Sequence, residues 1–250
     1  MSSMSSDEAV HKLMQLETAS QTSNQLIDMI VRCCAQEKTY SKYYGIIGER
    51  LCTINARWHE AFVTIFKQYY NTIHQYETDA LRNIGKFWGH MFALDKLAID
   101  QAWVEIKLTE ADTTAASRIF IKFIFQEMVE ELGIYQLTER VTEPYVQKAI
   151  GGVFPVKDVT WNDAEHIRFS INFFTAIGLG SLTEEMRDVL KNLPPPPRGR
   201  SRRRNSSNSY SGSSRSSSYS RSSSYSRLSS AYSGSSRSRS RSNSRSRQYN

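Results

Sequence analysis

The chain has 250 residues, and its formal net charge of +7 conceals a sharp division near position 194. Residues 1–197 hold 19 Lys and Arg against all 25 Asp and Glu, a formal −6, whereas residues 198–250 carry 13 arginines and no Lys, Asp or Glu. The body is therefore a poor general surface for nucleic acid, because binding phosphates needs clustered cations that release counterions, and the cations are in the tail.

From the N-terminus, MSSMSSDEAV lacks the basic start and apolar core of a signal peptide, and no apolar run approaches the ~20 residues that cross a bilayer. A soluble intracellular protein with no membrane partner is the expectation. Leu26, Ile27, Ile30, Val31 and Cys34 recur at helical spacing. Between Trp58 and Tyr76, the positions Phe62, Ile65, Phe66, Tyr69, Ile73 and Tyr76 step by three or four and form one packing stripe. Leu81, Ile84, Phe87, Trp88, Met91 and Phe92 repeat the pattern, as do Ile119, Phe120, Phe123, Ile124 and Met128, and then Ile167, Ile171, Phe174 and Ile177. Nine to eleven helices are predicted, with no strand.

Helix starts are expected at Thr78 or Asp79, at Thr113 or Thr114 and at Asp163, whose side chains can accept from free N–H groups of a first turn. Stops are expected at Gly133, at Gly151–Gly152 and across Gly178 to Gly180. Short connections between such helices favour antiparallel hairpins, and the predicted fold is an all-α superhelical stack of them. Pro194 to Pro197 end the last helix. Beyond them Leu228 and Ala231 are the only aliphatic side chains, so the tail is predicted to be disordered.

Catalytic constellations are wanting, and no enzyme activity or cofactor is expected. His11, His59, His74, His90 and His166 make no metal-ligand spacing, although His74 with Glu77 or Asp79 offers two ligands from one turn. P-loop, nucleophile-elbow and dinucleotide fingerprints have no match. Cys33 and Cys34 are adjacent and Cys52 stands alone, which fits reduced thiols of a nuclear or cytosolic protein. The aromatic runs Tyr40 to Gly48 and Lys86 to Phe92 read as core rather than as base-stacking platforms.

The tail is the strongly patterned segment. Arg200, Arg202, Arg203, Arg204, Arg237, Arg239, Arg241, Arg245 and Arg247 are the candidate contacts to RNA or acidic protein, since a guanidinium forks onto phosphate and stays charged. Ser201, Ser214, Ser220, Ser226, Ser236, Ser238, Ser240, Ser244 and Ser246 each precede an arginine and are candidate substrates of a serine/arginine-directed kinase. Each phosphate adds ~1.5 to 2 negative charges, so seven to nine or so of them would cancel the tail's charge. The Arg200 to Arg204 cluster also resembles a nuclear-import signal.

The segments YSKYYGIIGERLC (Tyr40 to Cys52), FVTIFKQYYNTIHQYETDALRNIGKFWGHMF (Phe62 to Phe92), SRIFIKFIFQEMVEELG (Ser117 to Gly133) and RFSINFFTAIGLGSLTEEMR (Arg168 to Arg187) closely resemble the C-terminal half of the nucampholin family of splicing proteins. The resemblance implies an MI domain of HEAT-like helical hairpins at 40–158; around it the expected divisions are leading helices at 1–39, a helical extension at 159–193 and, from composition, a Pro linker with Arg/Ser-rich tail at 194–250. It further implies a noncatalytic scaffold in the nucleus, at nuclear speckles among other places, docked on the central scaffold protein of the spliceosome. The larger N-terminal domain with which the family grips a DEAD-box helicase has no counterpart in this sequence, so helicase recruitment is not carried over. The alternative reading is a translation regulator that binds an initiation DEAD-box helicase through its MI domain.

Overall fold

The computed structural model describes residues 5–16 and 20–194, with backbone alone for 20–22. Eleven α-helices lie among the described residues, joined by short turns and with no strand. They run α1 (Ser6–Leu16), α2 (Ser20–Gln36), α3 (Lys42–Ile54), α4 (Arg57–Thr72), α5 (Thr78–Ala93), α6 (Ile99–Ala102), α7 (Ala115–Leu132), α8 (Ile134–Thr142), α9 (Pro144–Ala149), α10 (Ala164–Ala176) and α11 (Glu184–Asn192). The fold is the predicted all-α stack of helical hairpins. Its centre is α5, which packs on α2 and α3 on one side and on α7 on the other.

The apolar stripes read from the sequence are the core. Ile27, Val31, Cys34, Phe62, Phe66, Ile84, Phe87, Trp88, Met91, Phe92, Phe120, Ile124, Ile167 and Phe174 are fully buried. Their rings touch in an unbroken series. Phe62 meets Trp88 at 6.2 Å, Trp88 meets Phe66 at 5.4 Å, and Phe66 meets Phe92 at 5.0 Å. Phe92 then meets Trp103 at 5.5 Å, Trp103 meets Phe125 at 5.5 Å, and Phe125 meets Phe174 at 5.1 Å. Several of these contacts are edge-on, the arrangement that sets a ring's positive rim against its neighbour's negative face. The run from Lys86 to Phe92 is thus core, as its spacing predicts.

Two helix contacts are close because glycine lines them. A Cβ on Gly85 would lie 2.7 Å from Phe123 Cβ, and one on Gly89 would lie 2.6 Å from both Ile124 O and Glu127 Cβ. The pair, four residues apart on α5, makes a flat strip into which α7 settles. On the opposite side Gly45 of α3 gives room to the His90 ring and Gly48 to the Met91 sulfur.

Local signals place some boundaries and miss others. Thr114 caps α7 through a reciprocal pair with Ser117, as expected. Gly133 ends α7 at φ +80°. Gly178, at φ +85°, ends α10, with Leu179 N donating to Phe174 O and Gly178 N to Thr175 O, the paired bonds of a left-handed terminator. In contrast, α5 begins at Thr78 itself, with Glu77 before it and no side-chain cap. Asp163 makes no side-chain cap on α10; the cap sits one turn earlier at Thr160, whose N–H donates back to Asp163 Oδ2 at 2.8 Å. Two stripe positions also depart: Ile119 is 36% exposed, and the helix carrying Phe62 stops at Thr72, leaving Ile73 on a 3-10 turn over Ile73–Gln75.

Candidate interaction surfaces

The close α5–α7 contact has a polar edge. Because the glycines bring the backbones together, side chains one turn along from them must share the interface, and those side chains are charged. Lys86 donates to Glu127 Oε2 at 2.8 Å and to Glu130 Oε2 at 2.7 Å. His90 Nδ1 lies 3.3 Å from Glu131 Oε1, which Lys42 of α3 also reaches at 2.7 Å. Three helices are therefore cross-linked by one lattice of charges.

Burial sets its electrostatics. Glu127 has no exposure, and loss of solvent raises its carboxyl above the ordinary range, against the pull of Lys86. Glu130, at the open edge, is lowered by its bond from Lys86. Burial works to raise Glu131, but the bonds from Lys42 and His90 outweigh it and the net direction is down. The Tyr40 hydroxyl, buried beside Glu127 and Glu131, is pushed far up by desolvation first and those carboxylates second.

His90, Glu127 and Glu131 also have ligand-capable atoms within 4.8 Å of one another. This is a different set from the His74, Glu77 and Asp79 positions singled out in the sequence, all of which are exposed. Imidazole with two carboxylates is a donor set that metals use. Here Lys86 and Lys42 occupy one oxygen of each carboxylate, so the charges are already balanced by ammonium groups. The arrangement works as an ion-pair lattice. No spacing rule could have found it, since His90 and Glu131 are brought together only by the α5–α7 contact.

A second feature is an apolar groove between α1, α2 and α3, lined by Leu13, Leu16, Met29, Ile30, Tyr43 and Ile47. Leu16 is 60% and Met29 45% exposed, so its walls present aliphatic surface outward. Such a groove is predominantly apolar and accepts apolar side chains, with Lys12, Cys33 and the Tyr43 and Tyr44 rings completing its lining. The candidate tail positions, the arginines from Arg200 to Arg247 and the serines from Ser201 to Ser246, lie outside the described residues. No described helix is long and apolar enough to cross a membrane.

Residues 1–98 match the family model described as MA3 domain. That stretch overlaps the 40–158 expected for the hairpin domain only in part. The chain is 64% identical over 207 residues to pre-mRNA-splicing factor CWC22 of Debaryomyces hansenii, a match covering 80% of this chain and 32% of that protein. It is 57% identical over 213 residues to the protein of the same name in Candida albicans, covering 78% of this chain and 33% of the relative. Pre-mRNA-splicing factor cwf22 of Schizosaccharomyces pombe is 45% identical over 194 residues, covering 78% and 21%. The chain spans about a third or less of the length of the curated relatives it matches.

Proposed function

We infer a role in pre-mRNA splicing from one premise: the chain belongs to the nucampholin (CWC22) family. The observation that carries the reading is 64% identity sustained over 207 residues, 80% of this chain, to a protein named as a splicing factor. Identity at that level runs through surface as well as core, and surface is where a docking module meets its partner.

In this reading the body is a noncatalytic scaffold that docks on spliceosomal proteins, the central scaffold protein first among them. The polar groups brought together in it support this: the carboxylates of the lattice around Glu127 are paired with lysines and serve helix packing, and the groove beside α1 is mostly apolar. The division into leading helices at 1–39, a hairpin domain at 40–158 and an extension at 159–193 is kept as a proposal, with the matched stretch 1–98 straddling its first boundary. The Arg/Ser tail at 194–250 binds RNA or acidic protein through Arg200 to Arg204 and Arg237 to Arg247. Phosphorylation of the serines preceding its arginines, by a serine/arginine-directed kinase, cancels that charge. The protein works in the nucleus, with the speckles as one site of residence.

Affinity purification from nuclear extract, with the full chain and with a version ending at Leu193, tests this. The second version is sound because the helical core closes within the described residues. Recovery of spliceosomal proteins with both makes the body the docking module. Recovery with the full chain alone assigns docking to the tail, and recovery with neither removes the splicing reading.

A further inference from the structure

The body's formal −6 is an average, and one end of it departs from that average. Four of the body's eight arginines are neutralised by named carboxylates: Arg32 by Asp28, Arg50 by Asp7, Arg82 by Asp79 and Arg140 by Asp95. Three on α7, α10 and α11 are held differently. Arg187 donates from Nε to the Thr183 hydroxyl at 3.0 Å and from a terminal nitrogen to the Thr175 hydroxyl at 2.8 Å. Arg168 sits 5.9 Å above the Trp161 ring, and Arg118 sits 5.8 Å above Phe169. Among the described residues none of these three has an ion-pair partner, and Glu165, one turn before Arg168, makes none with it.

Arg168 and Arg187 line the same cleft between α10 and α11, together with Ile171, Asn172, Leu190 and Lys191. Of its three cations only Lys191 is paired, with Asp188 at 3.0 Å. Hydroxyls and rings hold a guanidinium in place without cancelling its charge. The fork is thereby pre-oriented and electrostatically free, the state that favours bidentate recognition of phosphate. Trp161 is the one tryptophan of the four that is not buried, so its indole face is available beside the cations. A phosphoserine brings a phosphate alone, whereas a nucleotide brings a phosphate and a base face for that ring.

We propose that the cleft between α10 and α11 binds the phosphodiester backbone of single-stranded RNA, with Arg168 and Arg187 on phosphate oxygens, Asn172 as an adjacent hydrogen-bonding group and Trp161 stacking a base. This gives the body an RNA contact separate from the tail. It goes beyond the splicing reading and rests on the cleft alone, so binding to an oligonucleotide and copurification of spliceosomal proteins succeed or fail independently.

The test uses the full chain and a short oligouridine, followed by fluorescence anisotropy across a salt series. Each phosphate contact on a single strand contributes about 0.7 to the slope of log affinity against log salt, so R168Q/R187Q lowers the slope by about 1.4 while leaving the tail's share intact. In the parent chain the oligonucleotide also quenches Trp161 emission, because Trp58, Trp88 and Trp103 are shielded in the core, and the double variant loses this. Arg187→Lys keeps the charge and retains most of the slope. Arg168→Gln removes a side chain that makes no hydrogen bond within the described fold, so its share of the loss, about 0.7, is free of any folding defect. An unchanged slope with silent Trp161 emission overturns the proposal and leaves RNA binding to the tail. Quenching by a phosphoserine-arginine peptide but not by oligouridine overturns it in favour of a phosphopeptide pocket.

Discussion

Lys86 and Glu127 meet at 2.8 Å across the α5–α7 contact, with the carboxylate side chain 1% exposed and the ammonium 25%. The pair is held at that depth by Gly85 and Gly89, whose missing side chains let the two helices approach. An ion pair so placed gives up the hydration of both charges and recovers it only while both partners remain.

Removing one partner is therefore worse than removing both. Lys86→Met strands a buried carboxylate and is expected to destabilise the fold by about 3 kcal/mol, whereas Lys86→Met with Glu127→Leu recovers most of that loss. Urea denaturation of the two variants measures this, and a double variant as unstable as the single one would refute it.

Gly89→Ala and Gly133→Ala separate two uses of glycine. The added methyl at Gly89 meets Ile124 O and Glu127 Cβ at 2.6 Å, backbone and branch point that cannot swing away. The α5–α7 contact must open, at a cost of about 3 kcal/mol. At Gly133 nothing lies within 4 Å, and the penalty is the φ of +80° alone, about 1 kcal/mol. Thermal melts should rank the variants in that order.

The Glu131 carboxyl has a definite pH signature. Its bonds from Lys42 and His90 hold it below its unfolded value near ~4.3, so the stability they give is complete above that value and is lost as pH falls through the lower folded one. Glu127 has the opposite sign, being raised by burial, so its contribution is present at low pH and lost as pH rises through its raised folded value. The difference in melting temperature between the parent chain and Glu131→Gln should shrink on acidification through the carboxyl range. A constant difference would mean that the bonds to Glu131 contribute nothing.

Two of the three thiols should be inert. Burial pushes the Cys34 thiol up to about 12, helped by the nearby Glu37. Burial also pushes Cys52 up to about 12, against the pull of Lys96. Thiolate is the reacting form, so iodoacetamide at neutral pH should modify half-buried Cys33 first and reach the other two only after denaturation. Mass spectrometry of the labelled peptides reads the order directly.

The core was legible from the sequence because helical burial repeats every three or four residues, and the stripes through Leu26 to Cys34 and Leu81 to Phe92 are buried position for position. The α7 and α10 terminators were legible too, since Gly133 and Gly178 occupy a conformation that other residues avoid. The polar lattice was not. Lys86, Glu127 and Glu131 look like ordinary solvated positions until the glycines on α5 are seen to draw α7 onto them. The α10–α11 cleft was hidden for a related reason: whether an arginine is neutralised depends on neighbours distant in sequence, as with Arg187 and Thr175.

The rings from Phe62 to Phe174 run through α4, α5, α7 and α10 without a gap, and so cross position 98, where the matched stretch ends. A product trimmed there would lose Trp103 and Phe120 from against Phe66, where they now sit at 5.7 Å and 6.2 Å. It would present a fresh wall of aromatic surface to water, the raw material of aggregation. The helical body should therefore melt as a single cooperative unit, and a sequence signature that ends partway through it marks shared ancestry, not the point at which the protein can be cut.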